Sequence, residues 1–293
     1  MTAFVILHYR AVEMTRTCVE RIQALDGSKH IVIVDNASPN GTGRILKEEY
    51  AGQDNVTVLL NEENAGFARG NNLGIRWVCT HLPAQFTVVL NNDVEIRQKD
   101  FIVRTEEIYK EDPFDILGPD IVSVFSGIHQ NPKSLKGCTL DSVRKKRANV
   151  KRSTHPILLL LSSGEKNSPL LWKHVQRRRR AKQCIDVSVP AKNVVLHGSC
   201  VIFSERYLKS HPEPFYPKTY MYYEMEILEW MCRREGSIVR YDPSICALHY
   251  QHEASRQELK SIIRRSKFVM DCLLDSLTAA EELILETGGE ERV

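Results

Sequence analysis

The chain has 293 residues, 42% of them hydrophobic, enough to bury a sizeable core in one large domain or one domain with an appendage, which sets it apart from disordered or fibrous chains. Its net charge of +3 hides an asymmetry: Asn131 to Gln183 holds fifteen Lys or Arg against Asp141 and Glu165, a net of +13, leaving −10 for the remainder. The short opening Met1–Leu7 suits a strand better than a secretory leader, the longest aliphatic run, Ile157–Leu161, falls far below the roughly 20 residues of a membrane span, and eight cysteines without a CxxC pair read as reduced thiols, so a cytoplasmic chain without a signal peptide is expected.

In chain order, residues 3–9 (AFVILHY) read as a strand, and residues 11–25 carry Val12, Val19, Ile22 and Leu25 at helical spacing. Ile31–Val34 is a second strand, closed by the turn-rich Asp35-Asn36-Ala37-Ser38-Pro39-Asn40-Gly41. A helix over 42–50, a strand over 56–60, a Gly- and Asn-rich loop over 61–70 and a helix over 70–80 follow. An apolar run then ends abruptly in Asn91-Asn92-Asp93. This alternation predicts a parallel sheet with right-handed crossovers, and it puts each polar loop at the C-terminal end of a strand, the edge of an open α/β sheet where ligands collect.

Further on, residues 101–110 read as a helix and 115–125 as a strand with turns. The basic segment interrupts the pattern, with Leu135, Leu158–Leu161, Leu170, Leu171, Trp172 and Val175 among its charges. A strand over 194–203 carrying Gly198 and Ser199, a helix over 220–235, a strand over 238–241 and one long amphipathic helix or a helix pair over 255–287 complete the chain.

Asp35 and Asp93 each follow an apolar strand. Such a carboxylate can hold a ribose hydroxyl, a base N–H or a metal ion, or it can close an Asx turn or cap a helix. The loop Asn64-Ala65-Gly66-Phe67-Ala68-Arg69-Gly70-Asn71-Asn72 offers glycines for close backbone approach, a guanidinium suited to phosphate and a helix N-terminus that favours anions, yet it is neither a GxGxxG fingerprint nor a Walker loop.

Together the opening VILHY, the IVIVDNAS loop, the stretch Asn61–Ile75 and VVLNNDV resemble the family 2 glycosyltransferases of GT-A fold, in particular rhamnosyltransferase-like members of bacterial cell-surface polysaccharide biosynthesis. The resemblance covers roughly residues 3–125 and resumes over about 194–252. It implies an α/β GT-A (nucleotide-diphospho-sugar transferase) fold, a mostly parallel Rossmann-like sheet flanked by helices, with a basic insertion and C-terminal helices. The expected organisation is a glycosyltransferase domain over 1–254 (nucleotide-binding half 1–125, insertion about 131–185, acceptor half 186–254) and a helical extension over 255–293.

Carried over residue by residue, the resemblance implies that Asp35 holds the base or ribose with Tyr9 nearby. Asn64, Gly66, Arg69, Asn71, Asn91 and Asn92 would line a uridine or thymidine diphosphate. Asp93 ends this chain's version of the DXD motif, with Asn91 in the first position, and would bind Mn²⁺ or Mg²⁺ with help from His249 in Ala247-Leu248-His249-Tyr250-Gln251-His252. In Tyr220-Met221-Tyr222-Tyr223-Glu224-Met225-Glu226, Glu224 is the expected base and Glu226 the alternative, about 200° away on a regular helix. Gly198 and Ser199 would face the acceptor.

The implied activity is inverting transfer of a sugar, rhamnose or similar, from a dTDP- or UDP-linked donor to a lipid-linked saccharide. A nucleotide-sugar binding scaffold subunit with weak catalysis stands as the alternative, since only one carboxylate occupies the metal motif. The basic insertion, with Lys145–Arg147 and Arg177–Arg180, reads as an interfacial patch on the inner face of the plasma membrane, a solvated face, or a nucleic-acid contact. The last is disfavoured by its sparse aromatics.

Overall fold

The computed structural model describes residues 1–153, 185–250 and 262–288. The first half follows the predicted alternation: β1 (Thr2–His8), α1 (Val12–Gln23), β2 (Lys29–Asp35), α2 (Thr42–Glu49), β3 (Val56–Leu60), α3 (Gly66–His81) and β4 (Phe86–Asn91). Then come β5 (Val94–Glu95), α4 (Phe101–Glu111), β6 (Ile116–Ser123), α5 (Leu140–Ser153), β7 (Ala191–Lys192), β8 (Cys200–Ser204), a short α6 (Glu205–Leu208), α7 (Glu224–Glu235), β9 (Val239–His249) and α8 (Ile262–Glu286).

The sheet runs β3-β2-β1-β4-β8-β6-β9-β5, with β7 also on β9. β3, β2, β1 and β4 are mutually parallel, β8 lies antiparallel between β4 and β6, and β6 and β9 are parallel. Successive β1 side chains go to opposite layers: Phe4 and Ile6 join Val19, Ile22, Leu46 and Phe101 on one face, while Ala3 and Val5 join Ala68, Ile75, Val78 and Met225 on the other. Burial on both faces is why these strands read as unbroken apolar runs.

Several boundaries differ from the sequence reading, each for a local reason. α3 starts at Gly66, not 70, because Gly66 takes φ +74 and the chain turns directly into the helix. Gly198 and Ser199 form a turn ahead of β8 instead of lying inside the strand. The helix expected over 220–235 starts at Glu224, since Tyr222 and Tyr223 adopt φ values of 73° and 72° that no α-helix accommodates. The strand expected over 238–241 continues to His249, past an irregularity where β6 shifts register between Pro119 and Asp120.

A third apolar cluster lies outside the sheet layers. Cys138, Val143, Tyr223, Ile227, Trp230, Leu277, Ala280 and Ile284 join α5, α7 and α8. The start of the basic segment and the C-terminal helix are therefore packed against the same helix of the sheet domain. Of the long helix expected over 255–287, residues 262–286 form one continuous element. Leu158–Leu161, Trp172, Arg177–Arg180 and His252 lie outside the described residues.

Candidate active site

The C-terminal ends of β1, β2, β3 and β4 share one edge, as the register pairs His8 with Asp35, Asp35 with Leu60 and Leu7 with Asn91. The start of antiparallel β8 reaches the same edge, because the Asn91 N–H donates to the Ser199 carbonyl at 3.0 Å. β6 and β9 bring Ser123 and His249 there side by side.

On the β1–β3 side, Asp35 is buried at the end of β2, and the Ser38 N–H donates to both its oxygens at 3.3 Å. Its carboxylate lies against α2 so closely that a Cβ at Gly43 would meet Oδ2 at 2.1 Å. His8 stands behind it, with Nε2 at 3.9 Å from Asp35 Oδ1 and the ring nitrogens 2.7 and 2.9 Å from the Thr15 and Thr42 hydroxyls. Burial lowers the His8 pKa to about 4 against the raising effect of Asp35, so the ring is neutral at pH 7. Tyr9 follows β1, and the Arg10 guanidinium lies 5.2 Å from the centre of its ring. The Arg10 backbone is tied to the Asp35 loop by hydrogen bonds with the Ser38 hydroxyl and the Asn40 side chain.

Asn36, which the sequence reading passed over, organises the next loop. Its Nδ2 donates to Asn64 Oδ1 (2.9 Å) and the Gly66 carbonyl (3.1 Å), and its Oδ1 accepts from the Ala65 N–H (2.9 Å) and Asn61 Nδ2 (3.2 Å). Gly66 admits no side chain, because a Cβ would meet the Tyr220 carbonyl at 2.2 Å, and that same carbonyl accepts the Phe67 N–H at 2.7 Å. The remaining loop residues diverge. Asn71 is fully buried and its Oδ1 has no partner among the described residues. Arg69 is turned outward to Glu63 at 3.1 Å, and no contact among the described residues brings it to the shared edge. Asn92 faces inward and donates to the Thr15 hydroxyl at 3.1 Å, which makes it a brace for α1.

Asp93 occupies the tight turn between β4 and β5. Its Oδ1 is buried without a hydrogen bond among the described residues and lies 3.4 Å from His249 Nε2. The other ring nitrogen of His249, Nδ1, donates to Gln130 Oε1 at 2.8 Å, since an amide oxygen only accepts, and this bond leaves Nε2 turned toward Asp93. Asp93 Oδ1 and His249 Nε2 thus face each other across 3.4 Å, and a carboxylate and an imidazole nitrogen so placed are groups that together can ligate a cation. Asn91 ends β4 with its side chain partly exposed. Among the described residues no three His, Cys, Asp or Glu side chains form a metal-binding group, so an ion here would need ligands from a bound diphosphate or water.

A chain of contacts leads from this pair to α7. The His249 ring meets the His197 ring edge-on at 5.5 Å, and the Ser199 N–H donates to His197 Nδ1 at 3.2 Å. Burial, His249 and Lys133 lower the His197 pKa to about 3, so His197 is neutral and its proton sits on Nε2. Next to it, Gly198 lies against Met225, where an added Cβ would come within 3.3 Å.

The first two turns of α7 are buried, between the sheet and the α5–α8 layer, so the carboxylates of Glu224, Glu226 and Glu229 each need a partner. Glu229 has the Cys138 N–H and Arg233, each at 2.9 Å. Glu226 has Lys133 at 2.9 Å and Lys146 at 3.4 Å; burial pushes its pKa up, and the two lysines outweigh that and hold it below the usual range. Glu224 Oε1 has no partner among the described residues, and burial raises the pKa to about 7, with backbone N–H groups and Lys133 pulling the other way. The 200° separation does not distinguish the two acids, since both are buried; their counter-charges do.

The family model for glycosyl transferase family 2 matches residues 3–163, more than half of the chain. The chain belongs to this family. Among curated glycosyl transferases, the low-salt glycan biosynthesis hexosyltransferase Agl10 of Haloferax volcanii is 27% identical over 121 residues, 41% of this chain and 36% of that protein. The matched stretch thus spans about a third of that relative's length. The crystal structure of S. aureus TarS 1–349 superposes with a TM-score of 0.54 at 13% identity, covering 99% of this chain and 74% of that one. The mannosyltransferase PcManGT of Pyrobaculum calidifontis, solved in complex with GDP-Man and Mn²⁺, superposes at 0.53 with 11% identity, covering 99% and 76%. At these identities the superpositions establish a shared fold, GT-A-like, with the mostly parallel sheet flanked by helices.

Proposed function

We propose that this family 2 member transfers a sugar from a nucleoside diphosphate sugar to a hydroxyl of a saccharide acceptor with inversion at the anomeric carbon. The observation that carries the reading is Glu224, a buried carboxylate without a hydrogen-bond partner on Oε1 and with its pKa raised to about 7, where a general base works best near neutral pH. In this mechanism the acceptor hydroxyl gives its proton to Glu224 while its oxygen attacks the anomeric carbon. The bond to the diphosphate oxygen breaks, and its electron pair leaves with the diphosphate. A scaffold without turnover would have no use for so costly a buried group, which favours catalysis over the binding-subunit alternative.

Asp35, the Tyr9–Arg10 pair and the Asn36-braced loop are assigned to the nucleotide; Gly198 and Ser199, beside α7, are assigned to the acceptor side. Asp93 and His249 are the residues assigned to a Mn²⁺ or Mg²⁺ ion. Such an ion, when bound, neutralises charge on the departing diphosphate. PcManGT with GDP-Man and Mn²⁺, and TarS with UDP-GlcNAc, support donors of this class, and Agl10 supports a hexosyl group. Rhamnose as the sugar and a lipid-linked acceptor in cell-surface polysaccharide synthesis rest on the sequence resemblance.

No helix among the described residues is long and apolar enough to cross a membrane. Attachment of the basic segment to an anionic bilayer remains part of the proposal, and sedimentation with anionic vesicles at moderate salt checks it, absence of binding being the contrary result. Because Lys133, Arg144, Lys145, Lys146 and Arg147 already pair with acids of this protein, that attachment rests on the other cations of the segment.

The test of the function is a thermal-shift panel of nucleotide sugars with and without Mn²⁺, followed by release of nucleoside diphosphate from the best donor. Stabilisation by a UDP-, dTDP- or GDP-sugar with turnover supports the reading. Binding without turnover under any acceptor would favour the scaffold, and no binding would remove both.

A further inference from the structure

The basic segment begins with Lys133, and the sequence gives no reason for a lysine there. Lys133 is fixed by its backbone, whose N–H donates to the Val195 carbonyl at 2.8 Å, two residues before His197. Its ammonium group lies 2.9 Å from Glu226 Oε1 and 3.0 Å from Glu226 Oε2. Lys146 of α5 reaches the same carboxylate and also lies 4.4 Å from the centre of the Tyr223 ring. Tyr223 is the left-handed residue that opens α7, and its hydroxyl is 3.6 Å from the Cys138 sulfur. Two lysines from the basic segment therefore hold the first turn of α7, the turn that presents Glu224.

We propose that Lys133 is a positioning residue for the base, clamping the start of α7 through Glu226 and supplying positive charge that keeps the Glu224 carboxylate ready to accept a proton. The inference rests on the assignment of Glu224 made above. In it, Glu226 is a counter-charge that holds Lys133 in place, and it does not exchange protons with the acceptor.

The groups that act on Glu224 can be named from each side. Lys133 favours its charged form and Glu226 disfavours it. Tyr222, half-buried on the preceding turn, and Cys272, buried on α8, both have raised pKa values and stay neutral at pH 7, with Arg265 of α8 acting on Tyr222. Lys146 acts on Glu226. Removing Lys133 and removing the Glu226 charge should therefore move the acid limb of the rate profile in opposite directions, which a general loss of structure does not do.

The experiment measures kcat against pH from 5.5 to about 9 for the wild type, Lys133→Met, Lys133→Arg and Glu226→Gln, with thermal melts of each to establish folding. Lys133→Met is expected to shift the inflection up by about one pH unit, which is about a tenfold loss on the acid side and a much smaller one at the alkaline end. Lys133→Arg restores most of the wild-type profile, and Glu226→Gln shifts the inflection down, leaving more activity than wild type at pH 6. Losses equal at every pH for both variants, with folded melts, would overturn the positioning role. Abolition of turnover by Glu226→Gln at every pH, with Glu224→Gln active, would instead overturn the assignment of the base itself.

Discussion

At the scale of single residues, the division of labour follows from which polar atoms the protein satisfies and which it leaves open. Glu229 and Glu226 are neutralised within the protein, while Glu224 Oε1 and Asp93 Oδ1 are buried without a hydrogen-bond partner among the described residues. Gln130 matters because it accepts the His249 Nδ1–H and so turns Nε2 toward Asp93. Its replacement by Met removes that acceptor, and Mn²⁺ affinity, followed by the electron paramagnetic resonance signal of the free ion, is expected to fall by about tenfold or more. Asp93→Ala should weaken the binding of donor with Mn²⁺ and leave metal-free nucleotide binding nearly unchanged, which calorimetry distinguishes. Some of this was legible in the chain. Asp35 and Asp93 announce themselves by ending apolar runs. Gln130, Lys133 and His197 do not, because they sit in irregular segments where no periodicity assigns a neighbour, and their roles arise from contacts between residues as far apart as 130 and 249.

At the scale of elements, the four-strand half was readable because buried parallel strands leave unbroken apolar runs and the polar loops must then fall at their ends. The second half was harder. β9 spans Val239–His249 although it contains Pro243, and α7 starts late because two tyrosines take left-handed backbone conformations that cost energy and that sequence patterns do not encode. The third layer was hidden by its own composition, as α5 reads as a charged helix with Val143 its one buried residue. Its cations are drawn to the acids of other helices: Arg144 and Arg147 meet Glu281 of α8 at 2.8 and 2.7 Å. Leu277 is fully buried in that layer, and Leu277→Ala is expected to destabilise the protein by about 2–5 kcal/mol in urea unfolding. Because Tyr223 lies in the same cluster, that variant should also reduce turnover more than donor binding. In contrast, Gly66→Ala meets the Tyr220 carbonyl in an αL position and should weaken donor binding first, read by calorimetry.

At the scale of the whole molecule, the buried titratable groups set a window of stability. His8 has its pKa lowered from 6.5 to about 4 in the folded state, so its contribution is present above pH 6.5 and is lost as the pH falls towards 4. Glu224 behaves oppositely, with a pKa raised from 4.5 to about 7: its contribution is full below pH 4.5 and is lost as the pH rises through 7. Melting temperature should therefore peak between these limits, in the weakly acidic range. Glu224→Gln, which removes the buried charge, should flatten the alkaline decline and stabilise the protein above pH 7, by an amount on the order of 3 kcal/mol. A variant more stable and less active is the signature of a group retained for chemistry at the expense of stability.

The same substitution gives the most direct measurement. With the best donor from the nucleotide-sugar panel and Mn²⁺ present, donor dissociation constants and single-turnover release of nucleoside diphosphate are compared for wild type and Glu224→Gln. The account predicts unchanged donor affinity and release slower by about 10²-fold or more, consistent with loss of a general base. Release at the wild-type rate from folded Glu224→Gln would contradict it.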